Sequence, residues 1–285
     1  PFLLPDMDIA VDRILQAIDN NEKIGIWSDY DADGIPGGAL LHDFFKLINY
    51  DNFTNYIPDR HLEGYGLNIE GIEKLKEENI KLIITIDCGI RNIKEIEITK
   101  KLGMDVILTD HHEAGSDLPS AFAIVNHKIK NSKYPEQVLC GSGIVWKLIQ
   151  AILIKRRSLT KEGTEKWLLD LAGIATLSDM VPLVGENRAI AHFGLSVLRK
   201  TRRPGLLKLY SMLKINKDKM TEDDIGFLIT PRINAASRMG VPKDAFDLLV
   251  AKDEVGADTI AKHLDKINQE RKIVVAGIVK EANKH

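Results

Sequence analysis

Residues 23–34 read KIGIWSDYDADG, a short apolar run that breaks into acids and a glycine. The design recurs as KLIITID at 81–87 and as DVILTDHH at 105–112. Each run predicts a buried strand that opens into a polar loop. Helical patterns separate them: 36–48 with Pro36 near its first turn, 68–78 with Asn68 as a cap, and 91–101 with Gly103 just past its end. Phe53–Ile57 and a weaker run, Ala121–Val125, add two strands. Strands alternating with helices indicate right-handed crossovers, hence an α/β fold with a parallel sheet covered on both faces. Beyond it the pattern is helical, over 143–155, 164–177 and 187–200, and ends in one long amphipathic stretch at 256–283. We divide the chain into a unit at 1–200 and a helical extension at 201–285 that contains PRINAAS and the long helix.

Composition narrows the class. The 285 residues are 44% hydrophobic and 28% charged, which excludes a disordered or collagen-like chain. Lys and Arg number 39 against 41 Asp and Glu, a formal net charge of −2, so no global basic excess announces a nucleic-acid binder. The two cysteines, Cys88 and Cys140, form no CxxC pair; neither a disulfide framework nor a thiolate zinc site is expected, and a reducing cytoplasm is the simpler reading. No apolar run reaches the roughly 18 residues of a membrane span. The opening PFLLPDMD lacks the marks of a signal peptide, and a start without Met reads as a fragment.

The chemistry gathers at strand ends. Asp29, Asp31 and Asp33 follow the first strand, Asp87 the run KLIITI, and Asp110, His111 and His112 the run DVILT. Residues two apart in extended backbone share a side, so the first three acids can converge. In open α/β sheets ligands bind at the carboxyl edge. So many acids repel one another unless cations are present. Oxygen donors with imidazole and no thiolate suit Mn²⁺ or Mg²⁺, with donors enough for two ions, as in phosphoesterases. Each element also has a bland reading: Asp-Gly is often only a turn, a strand-end Asp a helix cap, a His-His pair a surface feature. Gly141, Ser142 and Gly143 before a helix read as a loop or as backbone N–H groups aimed at substrate phosphate. Three independent strand-end placements are what favours a site.

With DYDADG, an acid after the next strand and DHH after the one following, the chain resembles the DHH phosphoesterase superfamily. Within it the chain is similar to the RecJ-like single-strand-specific exonucleases, through YIPDRHLEGYGLN at 56–68, LCGSGIVWKL at 139–148, ATLSDMVPLVGENR at 175–188 and PRINAASRMG at 231–240. The resemblance implies Asp31, Asp33, Asp87, His111 and Asp179 as metal ligands. It places His112 at the scissile phosphate, with Asp29 and Asp110 as residues that orient ligands. It makes Arg232 and Asn234 phosphate holders, Arg60 a weaker candidate for the same task, and Tyr65 a base-stacking side chain. It further implies 5′→3′ single-stranded-DNA exonuclease activity in repair and recombination, helicase or single-strand-binding-protein partners, and a second, DHH-associated domain beyond the long helix. Departures stand at Trp27, where pyrophosphatase-like members carry a metal-binding histidine, and at Ser28, Pro36, His127 and Ser237. The alternatives are a phosphodiesterase for oligoribonucleotides or cyclic dinucleotides, and a non-catalytic nucleic-acid or replication scaffold. Setting aside Asp29, Asp31, Asp33, Asp87, Asp110 and Asp179 as cation-facing leaves 35 acids against 39 bases, 4 in favour of the bases.

Overall fold

The computed structural model describes residues 1–130 and 132–283. Five parallel strands, β1 (Ile24–Ser28), β2 (Phe53–Tyr56), β3 (Leu82–Ile86), β4 (Asp105–Thr109) and β5 (Ala123–Val125), form one sheet in the order β2-β1-β3-β4-β5. The expected strands are therefore present. Their order reverses direction at β1, where the chain runs first to β2 and then crosses back to β3. Such a switch point leaves a crevice beyond the strands' carboxyl ends.

Both sheet faces are dry. Ile24, Ile26, Leu82, Ile84, Ile86, Ile107 and Val125 enter one core cluster, while Trp27, Ile83, Val106, Leu108 and Ile124 enter a second one. The first is covered by α1 (Met7–Asp19), α2 (Gly34–Leu47) and α5 (Gly141–Lys155), the second by α3 (Ile69–Glu77) and α4 (Ile93–Lys101). Asn68 caps α3 by accepting from Gly71 N–H at 2.7 Å, and Gly103 takes φ +75° beyond α4, both as expected. α1 was not foreseen. Its leading residue, Asp6, makes no side-chain cap and instead accepts from Ile124 N–H, at 2.9 Å.

The helical continuation differs in detail. The stretch 164–177 splits into a tight turn, Thr164–Leu168, and α6 (Leu169–Ser178). α7 (Gly185–Leu198) packs on α6 so closely that a Cβ on Gly173 would lie 2.8 Å from Gly194 Cα. α8 (Pro204–Leu213), a π-helical segment (Asp224–Ile229), α9 (Thr230–Arg238), α10 (Pro242–Val250) and α11 (Glu254–Ala282) follow. Their apolar residues, up to Ile267, join the core that starts at Leu4. Arg203, half-buried between Asp43 of α2 and Asp170 of α6, ties these helices to the sheet unit. No helix among the described residues is long and apolar enough to cross a membrane.

Candidate metal centre

The three strand ends meet. Ladder hydrogen bonds continue one residue past each strand, from Asp29 N–H to Ile86 C=O, Asp87 N–H to Thr109 C=O and Asp110 N–H to Val125 C=O. That extension fixes the backbone of the acids before their side chains turn inward. Asp29 and Asp31 converge, while Asp33 joins a neighbouring group, and the backbone that places them is not extended. The chain turns into α2 there, and Asp31 Oδ1 accepts from Asp33 N–H at 2.8 Å and from Gly34 N–H at 3.0 Å. The turn sends the carboxylates two ways. One donor group is Asp29, Asp31 and Asp87; a second is Asp33, His111 and Asp179; a third joins Asp87 to His111 and His112. Within each group, one atom per side chain lies within 4.8 Å of the others. His111 Nε2 links them, at 3.0 Å from Asp87 Oδ1 and 3.8 Å from both Asp33 Oδ2 and Asp179 Oδ2.

The electrostatics fit a cation. Burial, then the Asp31 charge, pushes the Asp29 carboxyl well above the usual carboxylate range. Burial and then Asp33 do the same to Asp87. Burial raises Asp33 too, and with Asp33 it lifts Asp179 to about 7. Burial lowers His111, which favours the neutral imidazole a metal requires. Asp29 Oδ1 is buried without a hydrogen-bond partner, and Asp87 Oδ1, which makes no hydrogen bond either, has the His111 ring nitrogen 3.0 Å away. Unpaired buried carboxylate oxygens of this kind are expensive, and a hard divalent cation with oxygen and imidazole ligands resolves them. Asp87 also holds φ +61°, an unusual conformation for a non-glycine residue and one that recurs at functional sites.

Asp110 plays another part. Its Oδ1 accepts from His111 N–H, His112 N–H and His112 Nδ1, and its Oδ2 from Ile90 N–H. Burial alone would raise it, but the hydrogen bond from His112 and that residue's charge hold it below the usual range. An ionised Asp110 makes Nδ1 the protonated nitrogen of His112 and leaves Nε2 as the working atom. The same bond raises His112. Asn126, fully buried, donates to His112 C=O at 3.0 Å and braces the turn from the next strand end. The sequence reading missed it, as it missed Asn187, which donates to Pro182 C=O at 3.0 Å and holds the loop behind Asp179. A buried Asn after a strand or a glycine-glutamate pair was the available signal.

Several expected substrate contacts are engaged elsewhere. The helix end at Gly141, Ser142 and Gly143 holds an anion, but that anion is Asp33, whose carboxylate accepts from Gly141 N–H at 2.6 Å and Ser142 N–H at 2.8 Å. Gly143 N–H goes to Cys140 Sγ. Gly141 is required because a Cβ there would lie 2.5 Å from Asp87 Cβ. Arg232 is buried, with its guanidinium on Asp265 and on Leu228 C=O, so it fastens α9 to α11 instead of facing the cluster. Asn234 Oδ1 accepts from Ala32 N–H at 3.0 Å and steadies the aspartate turn. Tyr65 donates to Asp87 C=O at 3.1 Å, and its oxygen lies 3.0 Å from His112 Nδ1. Its ring, partly exposed, meets His112 edge to face. Arg60 is exposed and lies over the Tyr30 ring, 5.1 Å from the centroid, beside the cluster. Trp27 is buried in the second core cluster and stacks on Tyr56, away from the donor groups.

Comparison with known proteins agrees with this architecture. The DHH family N-terminal domain matches residues 23–176. The single-stranded-DNA-specific exonuclease RecJ of Bacillus subtilis is 42% identical over 283 residues, 99% of this chain and 35% of that protein. The exonuclease of the same name from Haemophilus influenzae is 34% identical over 290 residues, 100% of this chain and 50% of that protein. The chain thus spans between about a third and a half of these relatives. A crystal structure of exonuclease RecJ bound to manganese superposes with a TM-score of 0.88 at 29% identity, covering 98% of this chain and 69% of that one. RecJ from Thermus thermophilus in complex with Mn²⁺ gives 0.85 at 27% identity, over 98% and 40%. Fold, strand-end carboxylates and family match coincide: the chain belongs to the DHH family.

Proposed function

We propose that the chain is the catalytic core of a RecJ-like nuclease that hydrolyses single-stranded DNA in the 5′→3′ direction with Mn²⁺ or Mg²⁺. The observation that carries this reading is the meeting of two donor groups at one sheet edge, Asp29, Asp31 and Asp87 beside Asp33, His111 and Asp179. Two adjacent groups suit two ions, which supply an activated water and neutralise developing charge on the phosphoryl oxygens. Residues 1–200 form the catalytic unit and 201–285 its helical extension. Gly141 and Ser142 hold Asp33 in place, and Asn234 holds the turn that carries Asp31. His112, with Nδ1 committed to Asp110, presents Nε2 to the reacting phosphate as a general acid or a charge stabiliser. Arg60, exposed beside this site, is placed to meet a phosphate of the strand. The full-length protein works in the cytoplasm in repair and recombination, with helicase or single-strand-binding partners.

End-labelled oligodeoxynucleotides with Mn²⁺, Mg²⁺ or a chelator test this. Release of mononucleotides from the 5′ end of single strands, abolished by chelator, is expected. Cleavage of dinucleotides with long DNA ignored would assign the chain to a small-substrate phosphodiesterase. Strand binding with no hydrolysis under any metal would make it a scaffold.

A further inference from the structure

A groove of about 550 Å³ lies between the loop after α6 and the π-helical segment that enters α9. Its size lies within the roughly 300–1,000 Å³ usual for ligand clefts. Ser178 and Met180, the neighbours of Asp179, line it, as does Asn234, which touches the aspartate turn. The groove therefore borders the loop that carries Asp179 and the turn that carries Asp31.

Two large apolar side chains stand in water along it, Met180 at 88% exposure and Phe227 at 74%. Both sit on uncommon backbone. Met180 has φ +57°, and Phe227 lies within the π-helical segment Asp224–Ile229. Strained residues and π-turns concentrate at functional sites. Arg238 and Arg271 line the same groove, and among the described residues neither has a carboxylate partner. Glu222 and Asp223, just ahead of Phe227 in the chain, line it too. Their charge repels phosphate from the Phe227 side. A strand would then set its phosphates toward the arginines and turn its bases toward Phe227 and Met180.

We propose that this groove is a nucleobase track, with Phe227 stacked on one base of the single strand, Met180 packed on its neighbour, and Arg238 and Arg271 holding the phosphates. The proposal rests on the nuclease reading above and adds a reason for strand preference. In a duplex both faces of each base are already stacked, so only unpaired bases can reach such a wall.

The test is binding of a fluorescent oligothymidylate and of an abasic strand of equal length, at one salt concentration. Phe227→Ala should weaken the thymidylate strand about tenfold, ~1.4 kcal/mol, within the range for one stacked base. Phe227→Trp should restore it, Met180→Ala should lose several-fold, and affinity for the abasic strand should not change. Thermal melting should stay at the wild-type value, because both side chains are exposed. Equal binding by Phe227→Ala and wild type, or an equal loss on the abasic strand, overturns the track. A wild-type chain that cuts neither strand with Mn²⁺ overturns the nuclease reading instead.

Discussion

Replacing Asp87 by Asn separates a metal ligand from a structural cap. Asn tolerates the left-handed backbone of this position (φ +61°) and keeps the shape of the side chain beside Gly141. It removes one charge from a group of buried acids. Asp29, Asp33, Asp87 and Asp179 are all held above the usual carboxylate range, first by burial. The metal-free protein carries that repulsion, so the metal-free variant should melt no lower than metal-free wild type. Metal reverses the order. At a Mn²⁺ concentration about 1,000 times Kd, binding adds about 4.1 kcal/mol, and a site weakened about a hundredfold retains about 1.4 kcal/mol. At roughly 2–4 °C per kcal/mol, wild type gains roughly 8–16 °C and the variant roughly 3–6 °C. Scanning calorimetry with and without Mn²⁺ reads both numbers. A metal-free variant that melts well below wild type, with its Mn²⁺ shift intact, would show that Asp87 is a cap and refute the ligand assignment.

Four further outcomes are expected. Gly141→Ala removes no ligand, yet its Cβ would fall 2.5 Å from Asp87 Cβ; a loss of about 1–3 kcal/mol from overpacking and weaker Mn²⁺ binding by calorimetric titration should accompany it. Tyr65→Phe keeps the ring but removes the hydroxyl beside His112 Nδ1, so kcat should fall with KM unchanged, while ¹⁵N spectra should still show the Nδ1-protonated tautomer that Asp110 holds. Arg232→Met removes the tie to the partly exposed Asp265 and should cost about 1–2 kcal/mol in denaturant unfolding, while kcat/KM per folded molecule stays at the wild-type value. Asp179, lifted to about 7 in the metal-free protein, must lose its proton to bind a cation, so Mn²⁺ affinity should rise with pH through that value. The folded state holds this proton more tightly than the unfolded chain, so the stabilisation is complete at low pH and is lost as pH rises toward 7; melts that strengthen from pH 5 to 8 without metal would contradict the assignment.

What was legible in the sequence is what local physics determines. The central strands β1 and β3 were read because each is buried on both faces and so appears as an uninterrupted apolar run, whereas β2, half-buried at the edge, shows only a mixed one. Asn68 and Gly103 were read because a cap acts within its own turn. α1 was missed for the opposite reason: Asp6 spends its carboxylate on Ile124, 118 positions away, and leaves no cap to notice. The break at 164–168 follows Gly163 at φ +82°, a conformation that a helical pattern conceals.

The candidate ligands were legible for a topological reason: parallel strands share one carboxyl edge, so acids that follow them must meet. The polar groups around them were not, because a motif shows that a residue is specified without showing what it touches. Gly141 looked like a phosphate donor, and its partner is Asp33, 108 positions earlier. Arg232 looked like a phosphate clamp, and its partner is Asp265, 33 positions later. Asn234 looked like a substrate contact, and it meets Ala32, 202 positions away. In each case the group is committed to the protein: Gly141 N–H and Asn234 hold the turn that crowds the carboxylates, and Arg232 ties α9 to α11. The groups left for a strand are then the unanchored ones: Met180, Phe227, Arg238 and Arg271 along the groove, and the Nε2 face of His112.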